Sequence, residues 1–423
     1  MNITVLGLWH LGSVTAACCA QHFPVTGLDF DAGNIARLQK GEAPLFEPGL
    51  NDLIALGLKD GRLSFTSNPQ LACASADILW LTSDTPVDEQ DESDVNAVLR
   101  DLRLALPYLP ADALVLISAQ LPVGTCRALE VEFPLFHFAC SPENLRLGRA
   151  INAFEKADRV VVGIRDDSKK AMLEELFKPF TQNILFMRTE SAEMVKHALN
   201  SFLALSITFI NEIARLCELT GADAKEVSAG LKSEPRIGPK AYLGAGGPFA
   251  GGTLARDVVA LTKLAATNGE LLSVIPAIKQ SNDHHREWSF RRLEARFGDL
   301  RGTVIAILGL TYTTNTDTLR RSAAVELCRK LISAGAAVKA FDPAVKQLPA
   351  EFAALSLESN VASAICGADA VVICTEWAQF RQAAWDALIP TMRQPFILDA
   401  NCFLEKELKP LPNIEYYYVG RPL

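Results

Sequence analysis

Short, continuous apolar segments alternate with longer segments of mixed polarity in the first part of the chain. The apolar segments predict strands at Ile3–Leu6, 25–30, 78–82 and 114–118, and the mixed segment at 13–21 predicts a helix. Strands that alternate with helices are typical of βαβ units, which form a parallel sheet covered by helices. We therefore predict an α/β domain at this end of the chain.

The pattern changes near Ser191, where helical periodicity replaces the short strands. Residues 193–219 form one helical run without glycine or proline, and more helical sequence follows at 257–297. A second strand series begins at 304–309. It continues through the apolar segments 337–341, 370–374 and 396–398. The predicted domains are 1–190, 191–297 and 298–423.

Composition and charge argue against some kinds of binding partner. At 423 residues the chain exceeds the usual size of one hydrophobic core. A net charge of −8 without a basic run argues against nucleic acid, because phosphate neutralisation requires clustered Lys and Arg. The N-terminus enters a strand directly and no apolar segment has membrane-spanning length, so we expect no signal peptide and no membrane partner. The ten scattered cysteines lack a metal-binding spacing, which predicts no metal and a cytoplasmic location.

The first predicted strand ends at a turn of the kind that binds dinucleotides. Residues 7–12 read Gly-Leu-Trp-His-Leu-Gly and lie between a strand and a helix. Backbone N–H groups at the start of this helix would hold a pyrophosphate, and an acid after the second strand would bind ribose hydroxyls. That acid favours NAD over NADP, since it repels a 2′-phosphate. The predicted NAD contacts here are Gly7, Trp9, His10, Leu11, Gly12 and Asp29.

Trp9 stands where such turns usually have a glycine that lets the backbone approach phosphate. The alternative interpretation is an ordinary strand–helix turn with a packed tryptophan. The strand, the turn, the helix and Asp29 together favour the nucleotide site, with a diphosphate path altered by Trp9.

Lys196 and Asn200 are four residues apart in the long helical run and share a helix face. Val195, Ala198 and Leu199 beside them are apolar, so we expect a largely buried helix in which a lysine requires a partner. A cation next to an amide donor can stabilise an alkoxide. The alternative is a polar pair on a solvated face.

Residues 248–257 read Pro-Phe-Ala-Gly-Gly-Thr-Leu-Ala-Arg-Asp. This segment resembles the Gly-Phe-Gly-Gly-Ser-Cys-Phe-Pro-Lys-Asp loop of the UDP-glucose/GDP-mannose dehydrogenase family, with Thr253 in the place of the nucleophilic cysteine. Further segments resemble that family in the same order along the chain. They are 46–50, 85–86, 121–125, 141–143, 193–200, 236–238, 309–317, 341–343, 375–377 and 420–421.

The resemblance implies two Rossmann-like, doubly wound α/β domains joined by a central helical segment with a long helix. It implies an NAD-dependent oxidoreductase that acts on a CH–OH group of a nucleotide-sugar-like substrate, and a homodimer or higher oligomer formed through the long helix. The implied catalytic residues are Lys196, Asn200, Glu143, Asp257 and Thr253. Further implied cofactor contacts are Thr85, Pro86, Gln120 and Arg320. The implied substrate contacts are Arg236, Tyr242, Gly246, Phe249 and Gly251.

Three departures from the family bear on the reaction. Thr253 is a poor replacement for a thiolate, because a hydroxyl is far less acidic than a thiol. The family's lysine and arginine on the substrate side are Thr313 and Asn401 here. We therefore predict one two-electron oxidation instead of the family's two. The alternatives are a complete four-electron oxidation with another nucleophile, for which Cys140 is the rival candidate, and a cofactor-binding protein without turnover.

Overall fold

The computed structural model describes residues 1–86, 88, 93–143, 145, 147–250, 253–319 and 321–422, with residue 351 described by its backbone only. The chain divides into two compact units, Met1–Leu199 and Asn200–Leu423. Each unit contains its own sheet, and the two are described separately below.

Unit 1 is built on a sheet with the strand order β3-β2-β1-β4-β5-β6-β7-β8. Its strands are β1 (Ile3–Leu6), β2 (Val25–Leu28), β3 (Leu63–Thr66), β4 (Ile78–Leu81), β5 (Leu114–Ile117), β6 (His137–Cys140), β7 (Val160–Ile164) and β8 (Ile184–Met187). All neighbouring pairs are parallel except β6 with β7, which is antiparallel. The carboxyl ends of β1, β2, β4, β5 and β6 therefore lie along one edge of the sheet.

Helices cover both faces of this sheet. They are α1 (His10–Ala20), α2 (Ala32–Leu38), α3 (Leu50–Lys59), α4 (Pro69–Cys73), α5 (Val95–Ala105), α6 (Thr125–Glu132), α7 (Ala150–Glu155) and α8 (Lys170–Phe177), and the unit ends within α9 (Thr189–Thr220). Every residue of β1, β4 and β5 is buried, as expected for central strands covered on both faces. One apolar core includes residues of α1, α3 and α8, and a second includes residues of α5, α6 and α9.

Unit 2 is built on a parallel sheet with the strand order β11-β10-β9-β12-β13-β14. Its strands are β9 (Val304–Leu308), β10 (Ala337–Phe341), β11 (Leu355–Leu357), β12 (Ala370–Ile373), β13 (Phe396–Asp399) and β14 (Glu415–Tyr417). Its further helices are α10 (Ala224–Ser233), α11 (Leu254–Thr267), α12 (Val274–Arg286), α13 (Trp288–Phe297), α14 (Ala323–Ser333), α15 (Val361–Ile365), α16 (Ala378–Arg381), α17 (Trp385–Leu388) and α18 (Glu405–Leu408). Short 3₁₀ helices lie at Leu106–Tyr108, Asp167–Lys169, Ala350–Phe352 and Ile389–Thr391.

The predicted α/β class with two parallel-sheet domains and a long helix is confirmed. The helical sequence predicted at 257–297 forms three helices, α11 to α13, because the chain turns at Gly269, where φ is +70°, and again between α12 and α13. The first helix begins at His10, three residues before the predicted start. The division into three domains stays a prediction. No helix in the described part of the chain is long and apolar enough to cross a membrane.

Candidate active site

The turn after β1 is shaped by two glycines that tolerate no side chain. Gly7 has φ +89°, and a Cβ there would lie 2.2 Å from Ser83 Oγ. A Cβ at Gly12 would lie 1.8 Å from the Gly7 carbonyl oxygen. The backbone of the turn therefore packs closely against the residues at the carboxyl edge of the sheet. Helix α1 begins at His10, directly after this turn.

Asp29 after β2 fixes this turn from the side. Its Oδ2 accepts hydrogen bonds from Leu8 N at 2.8 Å and from Asn34 Nδ2 at 3.1 Å, while its Oδ1 accepts one from Asp31 N at 2.9 Å. A carboxylate accepts about four hydrogen bonds, so the carboxylate keeps capacity for a ribose hydroxyl.

These residues fit a dinucleotide. No side chain caps the N-terminus of α1, which leaves its first N–H groups for a phosphate. Within the described residues, the buried Ser83 hydroxyl beside Gly7 has no hydrogen-bond partner. Trp9 is 46% exposed, so it is not the packed core residue that the alternative interpretation of this turn expects. Trp9 N–H, His10 N–H and Leu11 N–H lie at the helix start, where a diphosphate would bind.

A buried carboxylate connects this turn to another loop at the same sheet edge. Glu47 Oε2 lies 2.9 Å from His10 Nε2, and the same carboxylate accepts hydrogen bonds from Gly148 N at 2.7 Å and Ala150 N at 2.8 Å. The Glu47 side chain is 1% exposed, so these donors stabilise its charge in place of water. Glu47 was recognised in the sequence only as part of a family segment, and its role as a connector was missed.

The first turns of α9 hold a further loop of unit 1, the loop after β5. Glu193 accepts hydrogen bonds from Gly124 N at 2.6 Å and Cys126 N at 2.9 Å, and so caps α6, whose own cap residue is a glycine. His197 Nε2 lies 3.1 Å from the Leu121 carbonyl oxygen. The loop after β5 is therefore attached to α9 by side chains that sequence reasoning did not single out.

Lys196 and Glu143 are brought together, as predicted for two catalytic residues. Lys196 is 8% exposed, and its Nζ donates to the Glu143 carbonyl oxygen at 2.6 Å and lies 3.5 Å from Glu143 Oε1. The other carboxylate oxygen of Glu143 accepts a hydrogen bond from Leu145 N at 2.6 Å. The lysine has its expected partner, and the pair places a cation beside a carboxylate that is 28% exposed.

The remaining predicted cofactor contacts of unit 1 lie on neighbouring loops. Thr85 Oγ1 donates to the Gln120 carbonyl oxygen at 2.9 Å, which joins the loops after β4 and β5. Pro86 accepts a backbone hydrogen bond from Asp94 N at 2.8 Å. Arg320 lies outside the described residues.

In unit 2, Asn200 and Asp257 form a buried polar pair. Asn200 Nδ2 donates to Asp257 Oδ2 at 2.5 Å, and the two residues are 4% and 0% exposed. Thr253 precedes α11 and is exposed, and its side chain makes no capping hydrogen bond to that helix. Thr253, which the resemblance places opposite the family's cysteine, is therefore an exposed residue.

The glycine-containing segment before α11 is held by side chains from two helices and one loop. Asn211 on α9 accepts from Gly246 N at 3.0 Å, and Asn401 accepts from Gly247 N at 2.7 Å. Asn282 on α12 binds both backbone groups of Phe249, accepting from its N–H at 3.0 Å and donating to its carbonyl oxygen at 2.8 Å. Gly246 has no room for a side chain, because a Cβ would lie 2.2 Å from Asn401 Oδ1.

His285 on α12 completes this support. Its Nε2 lies 2.7 Å from the Gly246 carbonyl oxygen, and its Nδ1 lies 3.1 Å from Arg215 Nη1. An arginine can only donate, so Nδ1 accepts and Nε2–H donates to the carbonyl, which defines a neutral tautomer. Burial lowers the pKa of His285 to about 4, and the charge of Arg215 acts in the same direction. Sequence reasoning missed Asn211, Asn282 and His285, although the three-residue spacing of the last two on one helix was a usable signal.

The other predicted substrate contacts differ in their exposure to solvent. Phe249 is buried, whereas Tyr242 is 57% exposed. The Arg236 side chain is 88% exposed and pairs with Glu234 at 2.9 Å. Gly251 lies outside the described residues.

The turn after β9 repeats the geometry of the turn after β1. Gly309 has φ +91°, and a Cβ there would lie 2.5 Å from Thr375. Asp342 after β10 accepts hydrogen bonds from Leu310 N at 2.7 Å and Thr311 N at 3.0 Å. Each unit therefore presents a nucleotide-type turn at the carboxyl edge of its sheet. Within the described residues, no group of His, Cys, Asp or Glu side chains could hold a metal ion.

A dinucleotide turn with an acid after the second strand is typical of an NAD-binding domain. Three models of the UDP-glucose/GDP-mannose dehydrogenase family match the chain, the NAD binding domain at residues 1–181, the central domain at 190–284 and the UDP binding domain at 306–406. The chain belongs to this family. The predicted family, its NAD-dependent oxidoreductase activity and its Rossmann-like fold are thereby confirmed.

Known dehydrogenases match this chain over nearly its full length. The chain is 34% identical to a UDP-glucose 6-dehydrogenase of Rhizobium meliloti, with 100% of both chains covered. It is 33% identical to the UDP-glucose 6-dehydrogenase YwqF of Bacillus subtilis, with 100% of this chain and 98% of the relative covered. A solved UDP-glucose dehydrogenase from Pyrobaculum islandicum superposes with a TM-score of 0.87 at 29% identity and covers 99% of this chain and 97% of its own.

We predict that replacing Asp29 with Ala weakens NADH binding by about tenfold, the effect of losing a charge-assisted hydrogen bond and the support of Leu8 N. Titration of protein fluorescence with NADH measures the dissociation constant. Exposed Asp60→Ala, at the end of α3, is the matched control and should bind as the wild type does. Equal affinities for wild type and Asp29→Ala would remove Asp29 from the cofactor site.

The low pKa of His285 predicts a defined pH dependence of stability. A histidine whose folded-state pKa lies near 4 instead of 6.5 contributes stability that is complete above pH 6.5 and is lost as the pH falls towards 4. The contribution is about 3 kcal/mol. Urea unfolding at pH 7 and pH 4.5 should show a loss smaller by about 2 to 3 kcal/mol in His285→Gln, which cannot titrate. Identical pH dependence in the two proteins would contradict this origin.

Proposed function

We propose that this protein oxidises one CH–OH group of a nucleotide-sugar-like substrate to a carbonyl and stops after this two-electron step. The observation that carries the proposal is Thr253, an exposed hydroxyl at the position of the family's nucleophilic cysteine. A threonine hydroxyl does not ionise near neutral pH, so a covalent adduct with a carbonyl and its second oxidation are disfavoured.

The reaction balances with one cofactor. The substrate loses a hydride from carbon and a proton from its hydroxyl, and gives a carbonyl, NADH and a proton. NAD⁺, when bound at the turn after β1, supplies the hydride acceptor.

The Lys196–Glu143 pair supplies the charge and the base. The Lys196 ammonium is held at 2.6 Å by the Glu143 carbonyl oxygen, which orients it without neutralising it. A buried ammonium stabilises a developing alkoxide strongly, because little water competes with it. Glu143, whose carboxylate is 28% exposed, accepts the hydroxyl proton directly or through a water molecule.

The Asn200–Asp257 pair positions the second donor. Asp257 Oδ2 accepts from Asn200 Nδ2 at 2.5 Å, which fixes the amide and leaves its other hydrogen for the substrate oxygen. Asp257 itself is fully buried and acts through Asn200. We assign it a positioning role.

Other cysteines are poor candidates for the missing nucleophile. Cys140, the rival in the sequence, is a buried residue of β6. Burial raises the pKa of the Cys73 and Cys328 thiols to about 12, and it also raises the pKa of Cys18, Cys19, Cys374 and Cys402. A buried thiol with a raised pKa is neither ionised nor accessible.

Self-association through α9 is a further part of the proposal. Phe202, Phe209 and Leu216 recur every seven residues on this helix and are 67%, 44% and 57% exposed. An apolar stripe at this period is typical of a helix that packs against a second helix. The substrate's sugar and the homodimer remain predictions.

We predict that each turnover yields one NADH and one carbonyl product. NADH absorbance after complete conversion of a limiting nucleotide sugar, with trapping of the carbonyl by a hydroxylamine reagent, measures the ratio. Thr253→Cys is the matched variant, since it restores the thiol alone and tests whether acid formation follows. Two NADH and a carboxylate from the wild type would refute the two-electron proposal, and NADH binding without any turnover would favour the non-catalytic alternative.

We predict that Lys196→Ala lowers turnover by at least about a hundredfold, the scale for losing one oxyanion donor. Affinity for NADH should change little, because the turn after β1 is untouched. Exposed Lys178→Ala, at the end of α8, serves as the control and should turn over normally. Melting temperature and turnover are measured on the same preparation. A mutant that melts early but turns over normally in its folded fraction would show that Lys196 is structural.

A further inference from the structure

The backbone and the side chain of His10 have different partners in the turn after β1. His10 is the first residue of α1, so its N–H lies at the helix start, where a diphosphate would bind. Its imidazole Nε2 lies 2.9 Å from Glu47 Oε2, and the side chain is 16% exposed. A carboxylate only accepts hydrogen bonds, so Nε2 carries the hydrogen and donates it. One residue therefore joins the predicted cofactor position to a buried acid.

The Glu47 carboxylate is shared between His10 and the end of the loop that carries Glu143. We refer to residues 143, 145 and 147–150 as the Glu143 loop. Glu47 Oε2 also accepts a hydrogen bond from Gly148 N at 2.7 Å, and Oε1 accepts one from Ala150 N at 2.8 Å. Ala150 is the first residue of α7, and the cap residue of that helix makes no capping hydrogen bond with its own side chain. Glu47 therefore caps α7 and fixes this end of the loop.

The other end of the Glu143 loop is held by Lys196. Its Nζ donates to the Glu143 carbonyl oxygen at 2.6 Å, and the Glu143 carboxylate accepts a hydrogen bond from Leu145 N at 2.6 Å. The loop is thus held at one end by a cation of α9 and at the other by a carboxylate that binds His10. A buried carboxylate that loses one of its three donors is destabilised and settles elsewhere. The end of the loop that it binds then moves, and the position of Glu143 changes with it.

We propose that His10 is a positioning residue that couples the cofactor turn to the Glu143 loop through Glu47. NADH bound at the turn fixes His10 and thereby the loop, and a fixed loop in turn strengthens the binding of NADH. Both directions follow from one coupling free energy, because linkage between two binding or ordering events is reciprocal. The importance of the coupling for the reaction rests on the role of Glu143 proposed above. The test measures loop order and NADH binding instead of turnover, so the two proposals can fail separately.

The test is hydrogen–deuterium exchange of the full-length protein with and without saturating NADH, measured by mass spectrometry on peptides that cover residues 147–155. Two variants differ in the reach of the side chain. His10→Gln keeps an amide N–H near the position of the imidazole Nε2, whereas His10→Asn is one bond shorter and loses the contact with Glu47. We expect exchange at least about tenfold faster in His10→Asn, the effect of losing a hydrogen bond to a charged group. His10→Gln should exchange as the wild type does.

NADH should slow exchange in these peptides in the wild type and in His10→Gln, and should leave it unchanged in His10→Asn. Titration of protein fluorescence with NADH should give a dissociation constant about threefold to tenfold weaker for His10→Asn, since the coupling acts in both directions. His22 is an exposed histidine just after the end of α1. His22→Asn is therefore the matched control and should behave as the wild type does in both measurements.

Four results would overturn the proposal. Wild-type peptides whose exchange does not respond to NADH would show that the turn and the loop are not coupled, and this result needs no variant. Slowing by NADH in His10→Asn would show that the cofactor orders the loop without His10. A His10→Gln protein that behaves as His10→Asn does would show that the hydrogen bond to Glu47 is not the connection. Faster exchange of His10→Asn in the buried strand β4 as well would show that His10 supports the whole unit instead of the loop.

Discussion

The buried polar side chains at the start of α9 are the interaction on which unit 1 depends. Glu193, Lys196 and His197 lie among apolar neighbours and are 6%, 8% and 4% exposed, so each requires a partner in place of water. They find those partners on the loops after β5 and β6. Because a buried charge without a partner is costly, the same bonds that satisfy the helix fix the loops in one position. The loop that carries Glu143 is therefore placed by the requirement to satisfy Lys196, and the geometry of the site follows from the burial of the helix.

In unit 2, neutral side chains instead of charged ones hold a loop in one position. The segment at 244–249 contains several glycines and loses much conformational entropy on ordering, so it requires many specific contacts. Two asparagines and one histidine on helices supply them, with Asn401 as a fourth group. Amides and a neutral imidazole donate and accept at once, and so match the alternating N–H and C=O groups of a backbone. Their burial carries a smaller desolvation cost than that of ions. His285 remains suitable only while neutral, which ties the order of this loop to pH.

The sequence predicts the strands, the two sheets and the long helix well, because the spacing of apolar residues and the positions of glycines are local signals. Gly7, Asp29, Lys196 and Glu143 are also predictable, since each belongs to a short segment with a known context. Glu47 and Glu193 are harder, as each binds backbone N–H groups 101 and 69 residues away in sequence, and a backbone donor leaves no signature in side-chain composition. The segment 257–297 was predicted only as helical sequence, and its three helices were not separated, because one turn at Gly269 is a weak signal within a long helical periodicity. What escapes prediction is the long-range side-chain to backbone bond.

The departures from the family fall on a particular kind of position. The residues that hold loops, Glu47, Glu193 and Asp342, stand within segments that resemble the family, and all three are buried. Trp9 and Thr253 are exposed, and neither side chain makes a capping hydrogen bond to the helix that follows it. A different residue at either position would leave the loop-holding contacts intact and change the side chain that a ligand contacts. Asn401 is different, because the residue in place of the family's arginine accepts a hydrogen bond from Gly247 N and takes part in the loop-holding contacts. Asn401 therefore supports the glycine-containing segment at a position where the resemblance predicts an arginine. The buried side chains that hold the loops can thus stay the same while the exposed side chains that a ligand contacts differ.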